Sequence, residues 1–274
     1  ASEMARWFRG TENPVLIAQC EKLMRRVRAL PGVMPVHDEL AALKGAGWLP
    51  RLGLQYHWIN RGWADFDAYL ASLRHKRRKE VRRELRAVAD AGVAIEVRSG
   101  SEIPDAWFEP IWRFYHATIE HNPWGRLYLN PHFFELLRER FRSRLCFVMA
   151  LRGGVPIAGA FNVQKGDALY GRYWGASEFV KNLHFVVCYY AGIEHCIRQG
   201  LARFEPGAGG DYKQVRGFDA QPTWSAHFLA EPRLAQAVAR YLDEERAQTG
   251  DAIEWLRERS ALKPAATEEA RDGE

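Results

Sequence analysis

Residues 145–205 read LCFVMALRGGVPIAGAFNVQKGDALYGRYWGASEFVKNLHFVVCYYAGIEHCIRQGLARFE, and this stretch decides the fold. Leu145–Leu151, Val155–Val163 and Ala168–Trp174 are three runs of β-branched, aromatic and small apolar residues. Between them stand Arg152-Gly153-Gly154 and Lys165-Gly166-Asp167, with the glycines that tight hairpins require. The spacing predicts an antiparallel meander of three strands. A helix follows from Leu183 to Gln199, with Val186, Tyr190, Ile193 and Ile197 as its buried stripe and Gly200 at C′. Then come a short strand, Ala202–Glu205, a Gly-rich loop over 206–210, and the segment Asp211–Phe218. A further strand, Thr223–Ala230, precedes a last helix from about Pro232 to Gln248. This order is α+β, without βαβ repetition, and it excludes Rossmann and TIM architectures.

Working toward the N-terminus, the patterns are less regular. Pro131–Arg140 and Asp105–Glu120 read as helices, separated by the aromatic loop Asn122–Tyr128. Val93–Val97 is a strand. Asp65–Ala91 reads as one long helical stretch, with Val81, Leu85 and Val88 as a narrow core-facing stripe in its second half. Leu52–Ile59 is a strand, Asp38–Lys44 a short helix, and residues 11–30 an amphipathic helix stopped by Pro31-Gly32. The polar tail beyond Lys263 is expected to be disordered.

The chain of 274 residues is 47% hydrophobic, long enough for a substantial core. No run of 18 apolar residues is present, so no membrane-spanning helix is expected. The first residues lack an apolar h-region, so no secretory signal is visible and a cytoplasmic location is expected. The four cysteines, Cys20, Cys146, Cys188 and Cys196, form no CxxC pair, and neither a disulfide scaffold nor a metal site is expected. Net charge is +5, but it is local: Arg74–Arg86 (RHKRRKEVRRELR) holds eight Lys/Arg against two Glu. So concentrated a block points to a polyanionic partner, with Arg77, Arg78, Arg82 and Arg83 as the candidate contacts, against the alternative of a solvated helix face.

Three other groupings could carry chemistry. Arg172, Tyr173, Trp174 and Gly175 lie where a strand end feeds a helix, a place with free N–H groups and a positive dipole end. Arg172 beside two aromatics is hard to explain as core, whereas Tyr173 and Trp174 could merely cap it. Lys213 and Arg216, three residues apart behind a Gly-rich loop, suit a phosphate or carboxylate clamp, although this is no P-loop. Trp124, Arg126 and Tyr128 could line a groove or plug a gap between helices. No GxSxG, HExxH or GxGxxG motif is present, so hydrolase, zincin and dinucleotide readings have no support.

The runs SLRHKRRKEVRRELRAVADAGVAI, WGRLYL followed by HFF, LYGRYWGASE and LHFVVCYYAGIEHCIRQGLARFEPGAGGDYKQVRGF resemble the FemAB-like N-acyltransferases. These are bacterial peptidoglycan biosynthesis or recognition proteins within the wider GNAT superfamily, and the resemblance covers roughly residues 50–248. It implies a GNAT-like fold with a mixed, mostly antiparallel sheet flanked by helices. Family members usually carry a preceding GNAT-like half, so residues 1–60 are expected to be the end of such a half in an N-terminally truncated chain. The acyltransferase domain would then be 61–250, with a helix end and tail at 251–274.

The activity implied is transfer of an acyl or aminoacyl group from acyl-CoA or aminoacyl-tRNA to an amine, such as that of a cell-wall precursor. No permanently bound cofactor is implied. The stretch Trp174–Phe179 has one glycine where GNAT enzymes usually carry a pyrophosphate loop richer in them, which weakens acetyl-CoA and leaves room for aminoacyl-tRNA. The mechanism implied is direct aminolysis, with Glu205 and His184 as candidates for base assistance. Arg172, Tyr173, Trp174, Gly175, Tyr190, Lys213, Arg216, Trp124, Arg126 and Tyr128 form the donor and substrate set. The competing readings are a tRNA-binding module without chemistry, built on 74–86, and a recognition domain for peptidoglycan-like ligands.

Overall fold

The computed structural model describes residues 36–120, 127, 129–207 and 210–264. The helix expected over 11–30 lies outside them. The chain divides into two compact units, Ala1–Leu54 with Pro222–Ala252, and Gln55–Gln221 with Ile253–Glu274.

The smaller unit holds α1 (Val36–Gly45), the first half of β1 (Leu49–Ile59), the end of β7 (Asp219–His227) and most of α7 (Pro232–Glu258). Arg51 grips Glu245 with two hydrogen bonds of 2.8 and 2.7 Å, and Trp48 packs on Phe228 with ring centroids 5.8 Å apart. The last strand starts four residues before the expected Thr223, and the last helix runs ten residues past the expected Gln248.

The larger unit carries the sheet, ordered β2-β3-β4-β5-β6-β1-β7. Its strands are β2 (Val93–Ser99), β3 (Leu145–Arg152), β4 (Val155–Lys165), β5 (Ala168–Ala176) and β6 (Arg203–Glu205), joined by the inner parts of β1 and β7. The expected meander is β3-β4-β5, paired antiparallel. β5 and β6 run parallel, and β1 pairs antiparallel with β6.

On one face, α4 (Phe108–Glu120) presses Ile111 and Phe114 onto Phe147, Met149 and Phe161. Cys146, Val148 and Ala150, the alternate residues of β3, are buried on the other face. There lies α6, helical over Leu183–Phe185, π-helical over Val186–Tyr190 and α-helical again over Ala191–Arg198. The wider turn buries Val186, Val187, Tyr189 and Tyr190 together. Ahead of the meander, α5 (Pro131–Leu136) is capped by Asn130, whose side chain accepts from the Phe133 amide at 2.9 Å.

The long helix expected over Asp65–Ala91 is two helices, α2 (Phe66–Ser72) and α3 (His75–Asp90). Neither Pro nor Gly causes the break. Leu73 is extended (φ −71°, ψ 146°) and bridges to Leu262, while the Arg74 amide bonds the Ala261 carbonyl at 2.9 Å and the Lys263 amide bonds that of Ser72 at 2.9 Å. A strand-like pairing from far along the chain outcompetes one helical turn.

Candidate functional site

The parallel pairing of β5 with β6 is short: Ala168 faces Arg203, Leu169 faces Phe204, and Tyr170 faces Glu205. Beyond Tyr170 the strands part. The cause lies in β5 itself, where Gly171 pairs with Asn162 and Tyr173 with Phe161, leaving Arg172 as the extra residue of a bulge. A bulge bends its strand and increases its twist. At the parting point a Cβ on Gly171 would lie 3.1 Å from Pro206 Cα, so the two chains touch there before they diverge. The β5–β6 ladder therefore ends at Tyr170 and Glu205, and Glu205-Pro206-Gly207 and the 3-10 turn Asp211–Arg216 lie just beyond its end.

Lys213 stands on that 3-10 turn. Only 2% exposed, it donates from Nζ to the Gly207 carbonyl at 2.7 Å. Burial holds its pKa below the ordinary lysine value. Its charge reaches two histidines. His57, on β1, is lowered chiefly by desolvation, with Arg203 and Lys213 adding to that and Glu205 opposing it. His184, at the start of α6, is lowered to about 4 by desolvation and by the Arg216 and Lys213 cations. It is thus a neutral imidazole at pH 7, packed on Trp174 (ring centroids 4.7 Å) and Tyr189 (5.3 Å).

Glu205 is held by the Arg203 guanidinium, with Nε 2.8 Å from Oε1, and His57 Nε2 lies 3.9 Å from Oε2. Arg203 also donates to the Tyr170 hydroxyl at 2.9 Å. Cys188 neighbours Lys213, and burial pushes its thiol well above the ordinary cysteine value.

Arg216 is placed differently. Its Nη2 donates to Glu84 Oε1 at 2.6 Å and its Nε to Oε2 at 3.2 Å, while Nη1 reaches the Tyr212 carbonyl at 2.7 Å. Its guanidinium lies 3.5 Å from the centroid of Phe185. Glu84 and Arg216 are 8% and 7% exposed. The Tyr190 hydroxyl donates to the same carboxylate. Tyr190 and Arg216 therefore belong to one buried network that locks the 3-10 turn onto α3 and α6. Tyr69 extends it, donating to the Arg216 carbonyl at 2.6 Å.

The β5 group divides between the two faces. Tyr173 packs on Tyr115 and Phe161 in the α4 core, and Trp174 contacts His184. Arg172 is exposed, its guanidinium 6.0 Å from the Tyr173 ring. Gly175 sits under α4, where an added Cβ would fall 2.0 Å from the Phe114 carbonyl oxygen, so a helix backbone is packed directly on it.

On α3, Arg77 pairs with Glu80 at 2.8 Å and Arg78 donates to the Ala71 carbonyl at 3.3 Å. Arg82 and Arg83 are exposed and make no ion pair among the described residues. The residues buried on α3 are Val81, Glu84 and Val88, with Leu85 half-buried instead of fully inside. Trp124, Arg126 and Tyr128 lie outside the described residues.

Two members of the site were not singled out from sequence. His57 sits in an expected strand as the polar partner of alternating apolar residues. Glu84 was counted among surface charges, although it stands three residues after Val81 and four before Val88.

The sequence profile of the FemAB-like family, described as peptidoglycan biosynthesis/recognition, matches residues 12–264. No curated protein matches the chain. Among solved structures it is similar to the C-terminal domain of a protein described as a lysylphosphatidylglycerol synthetase from Agrobacterium fabrum, at 15% identity and TM-score 0.51, over 73% of this chain and 67% of that one. It is also similar to L-PGS from Bacillus licheniformis, at 9% identity and TM-score 0.51, over 76% and 71%. FemX matches at 13% identity and TM-score 0.51, over 74% and 71%. At such identities these likenesses establish the fold alone, an α+β arrangement of a mostly antiparallel sheet flanked by helices.

Proposed function

Because this chain belongs to the FemAB-like family of peptidoglycan biosynthesis/recognition proteins, we propose that it transfers an aminoacyl or acyl group from an activated donor to an amine, with a cell-wall precursor as acceptor. The observation that carries this reading is the buried ammonium of Lys213 at the point where β5 leaves β6. A desolvated cation is worth more to a developing oxyanion than the same charge in water. In this reading the donor carbonyl approaches the end of the β5–β6 ladder and accepts from Lys213. The acceptor amine attacks it directly, the tetrahedral oxyanion collapses, and the donor's hydroxyl or thiol leaves.

The amine's proton passes to the Glu205–His57 pair or to a water they hold. A neutral His184 against Trp174 shapes the wall and adds no positive charge to repel an ammonium acceptor. Cys188, held protonated, is no activated nucleophile, and this favours direct aminolysis over an acyl-enzyme. The exposed Arg82 and Arg83, with Arg77 and Arg78, give a polyanionic donor such as aminoacyl-tRNA a place to dock.

The test is to incubate the protein with radiolabelled aminoacyl-tRNAs or acyl-CoAs and amine-bearing cell-wall precursors, and to separate products chromatographically. Label moving to the acceptor amide is expected from at least one donor class. Binding of tRNA with no transfer from any donor would instead favour a binding module built on α3.

A further inference from the structure

The Lys213 ammonium can act on a carbonyl only from a fixed place, and much of what fixes it lies outside its own turn. Its bond to the Gly207 carbonyl, at 2.7 Å, sets the end of the side chain. The backbone beneath it is held on both sides. Gln214, the next residue, donates from Nε2 to the Leu256 carbonyl at 2.8 Å. The Tyr212 carbonyl, in the peptide that enters Lys213, accepts from Arg216 Nη1 at 2.7 Å. That second bond closes within the 3-10 turn, so it sets the turn's shape and not its place.

The place comes from the rest of Arg216. Tyr69 donates to its carbonyl at 2.6 Å, and its Nη2 and Nε grip the two oxygens of Glu84 at 2.6 and 3.2 Å. Glu84 is itself held, standing on α3 between the fully buried Val81 and Val88 and accepting from the Tyr190 hydroxyl of α6. An unbroken series of bonds therefore runs from α3 through Glu84 and Arg216 to the peptide that carries Lys213.

Stability does not explain why charges stand here. Well-packed apolar side chains in place of a buried ion pair are often as stabilising or more so. What the charged pair adds is direction, because a planar guanidinium held by two bonds to a carboxylate has one orientation. A group that must meet a reacting atom needs that, since a displacement of about 1 Å can cost on the order of 100-fold in rate.

We propose that Glu84 is a positioning residue for the transfer reaction, setting the place of the Lys213 ammonium through Arg216 and the Tyr212 carbonyl. This rests on the reading of Lys213 as the group that meets the donor carbonyl. The two are separated by observing the ammonium without turnover.

The experiment compares the whole wild-type chain with Glu84→Gln and with the double change Glu84→Leu and Arg216→Met. NMR of protein labelled with heavy nitrogen at the lysine Nζ gives the hydrogen-exchange rate of the Lys213 ammonium, its signal assigned by its loss in Lys213→Met. Single-turnover transfer and donor affinity are measured alongside. The double variant is expected to exchange at least about tenfold faster and to transfer about tenfold or more slowly, with donor affinity within about twofold of wild type. Glu84→Gln, which keeps one acceptor for Arg216, should fall between. A merely structural role predicts instead that the stability restored by the apolar pair restores transfer with it. Should the double variant fail to fold, Glu84→Gln decides by the same two readouts. Wild-type exchange or wild-type transfer in the variants overturns the proposal. No transfer by the wild type, with faster exchange in the variants, would sink the transferase reading and leave Glu84 as the residue that places Lys213.

Discussion

Replacing Glu84 with alanine tests how the site is held together. In the folded protein this carboxylate receives two bonds from Arg216, at 2.6 and 3.2 Å, and one from the Tyr190 hydroxyl. Removing it strands a guanidinium and a phenol in an interior where both are almost wholly desolvated. Breaking a buried ion pair from one side costs about 3–5 kcal/mol, and a hydroxyl left without its acceptor about 1–3 kcal/mol. Arg216 keeps its bond to the Tyr212 carbonyl and its place over Phe185, so the expected loss for Glu84→Ala is about 3–4 kcal/mol. That is a large part of the roughly 5–15 kcal/mol that holds a protein folded.

Urea unfolding followed by far-UV circular dichroism, with the slope checked between variants, gives the number. The double change Glu84→Leu with Arg216→Met removes both charges and restores apolar volume, so it should cost less than Glu84→Ala alone. A Glu84→Ala cost below about 1 kcal/mol, or a double change equal to the sum of its single ones, would refute the reasoning, because the pair would then be neither buried nor coupled.

Further outcomes follow from the same geometry. His195, 3% exposed with Nε2 unpartnered among the described residues, is lowered by burial from 6.5 to about 4. The unfolded chain therefore takes up that proton first: its stabilisation is complete above pH 6.5 and is lost as pH falls toward 4, at up to about 1.4 kcal/mol per unit. Urea midpoints measured from pH 7 to 4.5 should flatten in His195→Gln, and an unchanged slope would contradict the assignment. Gly175→Ala places a methyl against the Phe114 carbonyl and should cost about 3 kcal/mol, a fall in Tm of roughly 6–12 °C; a neutral melt would mean that α4 is not packed there. Changing Arg82 and Arg83 to Glu should weaken tRNA binding and reduce the salt slope of its affinity by about 2, measured by filter binding, whereas an identical slope would remove α3 from the interface.

The features legible in the sequence are those set by neighbours along the chain. The meander announced itself through two glycine turns, and α6 through Val186, Tyr190, Ile193 and Ile197, all buried as expected. The rest depends on partners distant in sequence. The break at Leu73 is imposed by residues 261–263, almost 190 positions away, and no local propensity could announce it. Glu84 looked like one charge among ten because its partner lies on the 3-10 turn at Arg216. The same pairing explains why Arg216, read from sequence as half of a two-cation clamp, is instead tied to Glu84 while Lys213 bonds the Gly207 carbonyl. The bulge at Arg172 is equally silent in sequence, since it shows only once β5 is set in register against β4.

The account turns on Lys213 as the cation that meets the donor carbonyl, and single-turnover transfer by Lys213→Met against the wild type measures that directly. With folding verified by an unchanged near-UV spectrum, the rate is predicted to fall by about 100-fold or more while donor affinity changes little. Transfer at the wild-type rate by Lys213→Met would contradict it.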